Sequence, residues 1–332
     1  MKKFMKRLVL FLCVFTIMFS LSNVLAKNDG NLLANSLNLS VSKNSVTLSN
    51  KGESEFIDAI VKLEDGRGLN VNLDAEWKTD NQDVAIAYEG RILATGKGNA
   101  VVSVLYNGIQ KDIKVKVLKA INYEAEVLVA SNDFSTMALT PSERDTIINK
   151  CSTMINYWWK PTQDLKGWRG NFTFKANTVY NGLPYSQTEY QKDDIGFGTA
   201  LGCGDFYSSY TRFGIVMPKY GNDCSGFTSF AWGVSRQTTY TFIQGIKNGT
   251  YPKVGSYNVD NPSNANLKDS YKLLQRGDAV VNDGHVFVIA QNNSTFSTPS
   301  VYAYEQTPYI ATFSIWTYDQ MANSKYMPFA KK

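Results

Sequence analysis

The strongest local constraint in the chain is a helix that begins at Cys224. Residues 219–233 read KYGNDCSGFTSFAWG. Asn222 and Asp223 close a polar loop, and Phe227, Phe230, Ala231 and Trp232 supply a short apolar run. Asp is a strong N-cap, because its carboxylate accepts hydrogen bonds from the unpaired N–H groups of the first turn. Cys224 therefore falls in that turn, where the free N–H groups and the positive end of the dipole favour a thiolate. Ser225 and Gly226 are small enough for another backbone or a ligand to come close. A buried structural cysteine on an amphipathic helix fits the same local pattern. The choice between the two turns on what the rest of the chain offers.

It offers one histidine, His285, within QRGDAVVNDGHVFVIAQ at residues 275–291. A thiol–imidazole enzyme needs one general base, and this chain has one candidate. Arg276-Gly277-Asp278 is turn chemistry ahead of a strand at residues 279–281. Asn282-Asp283-Gly284 is a hairpin signal, and residues 286–290 form an apolar β-branched run that reads as a buried strand. His285 is expected to project from the start of that strand. A third group should hold the imidazole in one tautomer. Residues 300–307 read SVYAYEQT, a strand whose period-two pattern groups Val301, Ala303 and Glu305 on one face and Tyr302, Tyr304 and Gln306 on the other. Glu305 is the first choice for the third group and Gln306 the alternative. A solvated edge residue fits the same periodicity.

Taken together, DCSGF, then RGD before an apolar strand, then HV opening another, then a polar residue on the next, resemble the NlpC/P60 family of cell-wall cysteine peptidases. Gly182-Leu183-Pro184-Tyr185 is similar to that family's G-x-P-Y element. The resemblance implies a papain-like α+β fold and cleavage of amide bonds in peptidoglycan stem peptides, commonly next to a D-amino acid. It implies Cys224 as nucleophile, His285 as base and Glu305 as orienter, with Tyr185, Asp223 and Ser225 around the oxyanion and the substrate. It calls for no cofactor and no metal.

Residues 1–26 are expected to be a secretory signal. Lys2, Lys3, Lys6 and Arg7 precede an apolar run over residues 8–21, and Val24-Leu25-Ala26 has the small-residue pattern of a cleavage site. A retained membrane anchor is the alternative; no later apolar run is long enough to span a bilayer. Those four basic residues account for most of the formal net charge of +5, leaving +1 for the remainder. No polybasic tract remains, so nucleic acid is not an expected partner. Cys151, Cys203 and Cys224 remain after the leader, too few for a disulfide framework and odd in number. Cys151 and Cys203 either pair or stay as thiols. Three unclustered cysteines and one histidine lack the spacing of a zinc site.

The expected order is the signal (1–26), an all-β sandwich (37–118), a connector (119–139) and the α+β domain (140–332). Strands are expected at 46–48, 55–61, 100–105 and 113–117, separated by turns such as Glu89-Gly90 and Asn107-Gly108. Residues 75–104, with Trp77, the EGRI turn and the GKGNA turn, resemble the bacterial Ig-like group 2 domain, a spacer or adhesion module. The connector should hold a strand at 125–130. Thr140-Pro141-Ser142-Glu143 is a capping box that opens a helix to about Trp159, with Ile147, Ile148, Cys151, Met154, Ile155 and Trp158 as its apolar stripe. Residues 157–220 are dense in aromatics, either core or a wall for stacking sugars and peptides. Residues 247–267 read as a long loop bordering a cleft.

The expectation is a secreted cell-wall cysteine hydrolase acting on peptidoglycan. Two rivals are a CHAP-type N-acetylmuramoyl-L-alanine amidase and a non-catalytic wall-binding or adhesion protein.

Overall fold

The computed structural model describes residues 38–63, 66–120, 139–208 and 210–332. The expected signal and nearly all of the connector, with its strand at 125–130, lie outside the described residues. The described chain is rich in sheet, with six α-helices.

The first unit has ten strands around one core. They are β1 (Asn38–Val41), β2 (Ser45–Asn50), β3 (Ser54–Phe56), β4 (Ala59–Lys62), β5 (Gly68–Asn70), β6 (Glu76–Thr79), β7 (Ala85–Tyr88), β8 (Arg91–Ala94), β9 (Gly98–Tyr106) and β10 (Ile109–Lys119). Three sheets form, in the orders β1-β4-β5, β2-β10-β9-β6 and β3-β8-β7. Alternation turns Val46 and Leu48 of β2, Val102 and Val104 of β9, and Ile113, Val115 and Val117 of β10 inward. Trp77 packs with them, and its indole N–H donates to the Asn72 carbonyl at 3.0 Å. The pattern at 55–61 predicts a single strand, but the chain breaks there and feeds two sheets. Ile57 is buried at the corner, its N–H donating to the Gly90 carbonyl at 2.7 Å.

In the second unit, α1 (Pro141–Asn156) opens on the expected capping box. It ends before Trp159, because Trp158–Trp159 (β11) pairs with Tyr180–Asn181 (β14). The extended backbone turns neighbouring side chains to opposite sides. Trp159 goes into the core and donates to the Gly182 carbonyl at 2.9 Å, whereas Trp158, expected on the apolar stripe, is 69% exposed. Two further hairpins pair Leu165–Lys166 (β12) with Thr173–Phe174 (β13) and Tyr210–Arg212 (β15) with Ile215–Met217 (β16). Of the aromatic stretch, Trp159, Phe174, Phe197 and Phe206 are core.

The remaining helices are α2 (Asp194–Ala200), α3 (Cys224–Trp232), α4 (Thr239–Asn248), α5 (Asn264–Tyr271) and α6 (Tyr318–Asn323). Of these, α3 to α6 pack against an antiparallel sheet of β17 (Ala279–Val281), β18 (Val286–Asn293), β19 (Ser300–Gln306), β20 (Ala311–Thr317) and β21 (Met327–Phe329), in the order β20-β19-β18-β17-β21. α3 lies against β18 and β19, and α1 against α3. The expected long loop at 247–267 is shorter: α4 reaches Asn248 and α5 starts at Asn264. Gly249 in the left-handed region and the Ser263 N-cap are helix ends, which read as loop composition in the sequence. Between them Tyr257 is buried, its hydroxyl donating to the Pro328 carbonyl at 2.7 Å.

The two units meet along the β3-β8-β7 sheet. Ile86 and Leu93 belong to the core of the second unit. The Gly52 carbonyl accepts from Ile315 N–H at 2.6 Å, and Tyr309 donates its hydroxyl proton to Gln82 Oε1 at 2.7 Å. A groove of about 1080 Å³ runs between them, with Tyr88, Arg91, Tyr185 and His285 in its walls. No helix among the described residues is long and apolar enough to cross a membrane.

Candidate active site

Asp223 caps α3 as its sequence suggests. Its Oδ1 accepts from Gly226 N–H at 2.7 Å and from the Ser225 hydroxyl at 2.9 Å. Its Oδ2 accepts from Arg236 at 2.5 Å and from the Gln191 amide at 2.9 Å. All of these contacts fix the start of the helix, so Asp223 and Ser225 spend their polar atoms on holding Cys224 in place. A Cβ at Gly226 would lie 1.9 Å from Gln191 Oε1, so a larger residue there would push the Gln191 side chain aside. Cys224 is the first residue of α3 and is 6% exposed.

Gly182 to Tyr185 runs beside the strand-like approach to Cys224. The Pro184 carbonyl accepts from Asn222 N–H at 3.2 Å, and the Asn222 carbonyl accepts from Ser186 N–H at 3.0 Å. Gly182 has φ +93°, and a Cβ there would sit 2.1 Å from the Ala311 carbonyl oxygen. This pairing puts the Tyr185 ring in the field of Cys224. Burial, followed by the Cys224 and Asp223 charges, pushes the phenol well above its usual range, so it stays a neutral donor. Its oxygen accepts from the Gln187 amide at 2.7 Å, and its ring packs edge-on against Trp168 at 5.0 Å.

His285 closes the turn between β17 and β18; the strand itself starts at Val286. Asn282 Oδ1 accepts from Gly284 N–H at 3.0 Å and His285 N–H at 2.8 Å, and the His285 carbonyl accepts from Asn282 N–H at 2.9 Å. The short polar side chain thus fixes the backbone that carries the imidazole. Nε2 lies 2.7 Å from Glu305 Oε2. Cys224, at the start of α3, acts on the same imidazole and is the largest influence raising its pKa. Burial works to lower the imidazole pKa, but the bonds and charges of Cys224 and Glu305 prevail and raise it to about 9.

Glu305 is wholly buried at the end of β19. Burial would raise its pKa, yet Arg91 and His285 hold it far below the usual carboxylate range. Gln306, the alternative, turns away and donates to the Leu183 carbonyl at 3.1 Å. Of the two, only Glu305 touches the imidazole.

Sequence reasoning missed the residue on the far side of Glu305. Arg91 Nη1 lies 2.9 Å from Glu305 Oε1 and 3.2 Å from Oε2, and also donates to the Tyr88 hydroxyl at 2.7 Å. Its guanidinium lies 3.9 Å above the Trp316 ring, and the Trp316 indole N–H donates to Glu305 Oε1 at 3.2 Å. Tyr326 packs 5.3 Å from Trp316, ring to ring. A charged residue opening the otherwise apolar strand RILA was the available signal.

Cys151, Cys203 and Cys224 are all free thiols. Cys151 is in the core, where burial pushes its pKa well up; Cys203 is exposed. Among the described residues no group of three or more His, Cys, Asp or Glu is gathered to hold a metal ion.

A thiol at a helix start, an imidazole under its influence and an ionised carboxylate behind the imidazole can support nucleophilic acyl transfer. No known family profile and no curated protein matches the chain. Among solved structures, domains 4 and 5 of the S-layer protein SbsC are similar with a TM-score of 0.22 and 14% identity, over 25% of this chain and 52% of that one. SbsC domains 5–6 match with the same score and identity, over 25% of this chain and 44% of theirs. The chain thus spans about half the length of the solved structures it matches.

Proposed function

We propose that the protein is an exported cysteine hydrolase of the bacterial cell wall that cleaves amide bonds in peptidoglycan stem peptides. In this reading the first unit is an Ig-like sandwich and the second a papain-like domain of the NlpC/P60 type. The observation that carries it is the His285 imidazole 2.7 Å from the buried Glu305 carboxylate, with Cys224 at the start of α3 acting on the same imidazole. The leader-like residues 1–26 agree with an extracellular place.

The Cys224 thiolate, its proton on His285, attacks the scissile carbonyl carbon and forms a C–S bond. Charge moves to the carbonyl oxygen, which the Cys224 backbone N–H and the Tyr185 hydroxyl would receive. The C–N bond then breaks and the imidazolium passes its proton to the leaving amine. Water, deprotonated by His285, attacks the thioester and releases the carboxylate product and the thiol. Glu305 keeps the imidazole in one orientation throughout.

The test is incubation of the signal-free protein with purified peptidoglycan and mass spectrometry of the released fragments. Fragments cut within the stem peptide, absent with Cys224→Ala, are expected. Cuts between N-acetylmuramic acid and L-alanine would mean the CHAP-type amidase instead. No release at all would leave a non-catalytic wall protein.

A further inference from the structure

Arg91 comes from the first unit, yet it sits behind the carboxylate of the second. The hairpin between β7 and β8 aims it. Glu89 and Gly90 form a two-residue turn with φ of 49° and 88°, both positive as a type I′ turn needs. Tyr88 and Arg91 are the last pair of that ladder, so both point off its end into the contact between the units. Arg91 is 3% exposed there.

The site is a poor one for stabilising the fold. Arg91 Nε and Nη2 are buried and have no hydrogen-bond partner among the described residues. A buried guanidinium with most of its donors unpaired is costly, and a well-packed apolar side chain commonly serves stability as well or better. What Arg91 does satisfy is Glu305, through both carboxylate oxygens.

We propose that Arg91 is a positioning residue for the reaction, holding Glu305 ionised and aimed at His285, so that the catalytic unit spans both halves of the chain. The proposal rests on the hydrolase reading for the chemistry that Glu305 supports. Without Arg91, a buried carboxylate facing a single imidazole would compete with it for one shared proton. With the cation in place the carboxylate cannot keep that proton, and the imidazole carries it where Cys224 and the leaving amine can use it. Glu305 is faced by Arg91 from β8, Tyr88 from β7, His285 from the β17–β18 turn and Tyr326 ahead of β21, with Cys224 of α3 beyond His285. Of these only Arg91 is a fixed charge, since burial keeps both tyrosines neutral.

His285 is the sole histidine in the chain, so nuclear magnetic resonance of the imidazole reads one titration without assignment. In the full chain that midpoint is expected near 9. Arg91→Met removes the cation and should move it up by about one pH unit or more, because the Glu305–His285 pair then holds its proton longer. Arg91→Lys keeps the charge without the fork and should shift it less; it also serves if the Met variant does not fold. In a Glu305→Gln background, Arg91→Met should shift the midpoint by less than about a third of that amount, since the coupling runs through the carboxylate. An unshifted midpoint in Arg91→Met, or the same shift with and without Glu305, would overturn the proposal. Peptidoglycan cleavage by the unaltered protein is scored separately. Absent cleavage with the expected titrations removes the hydrolase and keeps the coupling; cleavage with an unshifted Arg91→Met midpoint does the reverse.

Discussion

His285 Nε2 and Glu305 Oε2 lie 2.7 Å apart at one end of the same sheet. The antiparallel register of β18 and β19 sets Val288 opposite Tyr304. The residue just ahead of β18 and the residue near the end of β19 therefore meet. The pairing fixes the imidazole without any long-range loop closure beyond the hairpin itself.

Replacing Cys224 by Ala should abolish release of stem-peptide fragments while leaving the far-ultraviolet dichroism of the folded chain intact. The thiol is held by the helix start rather than holding it, since the capping contacts come from Asp223. Cleavage that survives in this variant refutes the assignment.

In the proposed hydrolase, an imidazole pKa of about 9 is expected to set the alkaline side of the pH–rate profile. The imidazolium that would protonate the leaving amine in that reaction is present below that pH and lost above it. The same raised pKa contributes stability that is complete below about 6.5, the ordinary histidine value, and disappears as pH rises through about 9. Glu305→Gln removes a charge that raises the pKa, so its alkaline limb should move to lower pH. An unmoved limb would mean that Glu305 does not act on His285.

Tyr185→Phe keeps the ring against Trp168 and deletes the hydroxyl. If that hydroxyl receives the oxyanion, kcat should fall by about 10²-fold with KM little changed, as for loss of one oxyanion donor. Equal falls in binding and turnover would place Tyr185 in substrate binding instead.

Gly182→Ala should destabilise the protein by about 2 kcal/mol or more, because a side chain is strained at positive φ and its Cβ has nowhere to go. The obstacle is the Ala311 carbonyl, 2.1 Å away, which is backbone and cannot swing aside. Urea denaturation reads the loss directly. A wild-type midpoint would show that residues 182–185 are not held against β20 as described.

Iodoacetamide should label Cys224 much faster than Cys151, whose thiol is buried and pushed away from ionisation. Cys203 is exposed and will also react, so the comparison belongs in a Cys203→Ser protein. Similar slow labelling of Cys224 and Cys151 would point to the non-catalytic reading.

The elements of the site that depend on near neighbours were legible in the chain. Asp223 three residues before Gly226 reads as a cap, Asn282 three before His285 reads as a turn, and period two separates Glu305 from Gln306. Local signals failed where packing outvoted them. The pattern continues α1 through Trp158, but a two-residue pairing with Tyr180 and Asn181 takes that segment into a strand. Residues 249–263 look like free loop, yet Tyr257 is buried against β21.

By itself the sequence determined the chemistry available: one imidazole, a thiol at a helix start and a carboxylate on an inward strand face. Each of those follows from hydrogen bonds or periodicities spanning a few residues. Only the tertiary structure decided that Arg91 stands behind Glu305, because they are 214 positions apart and belong to different units. No local rule links them. A buried charge finds its counter-charge through the packing of whole sheets, and that packing is written in shape and desolvation rather than in spacing.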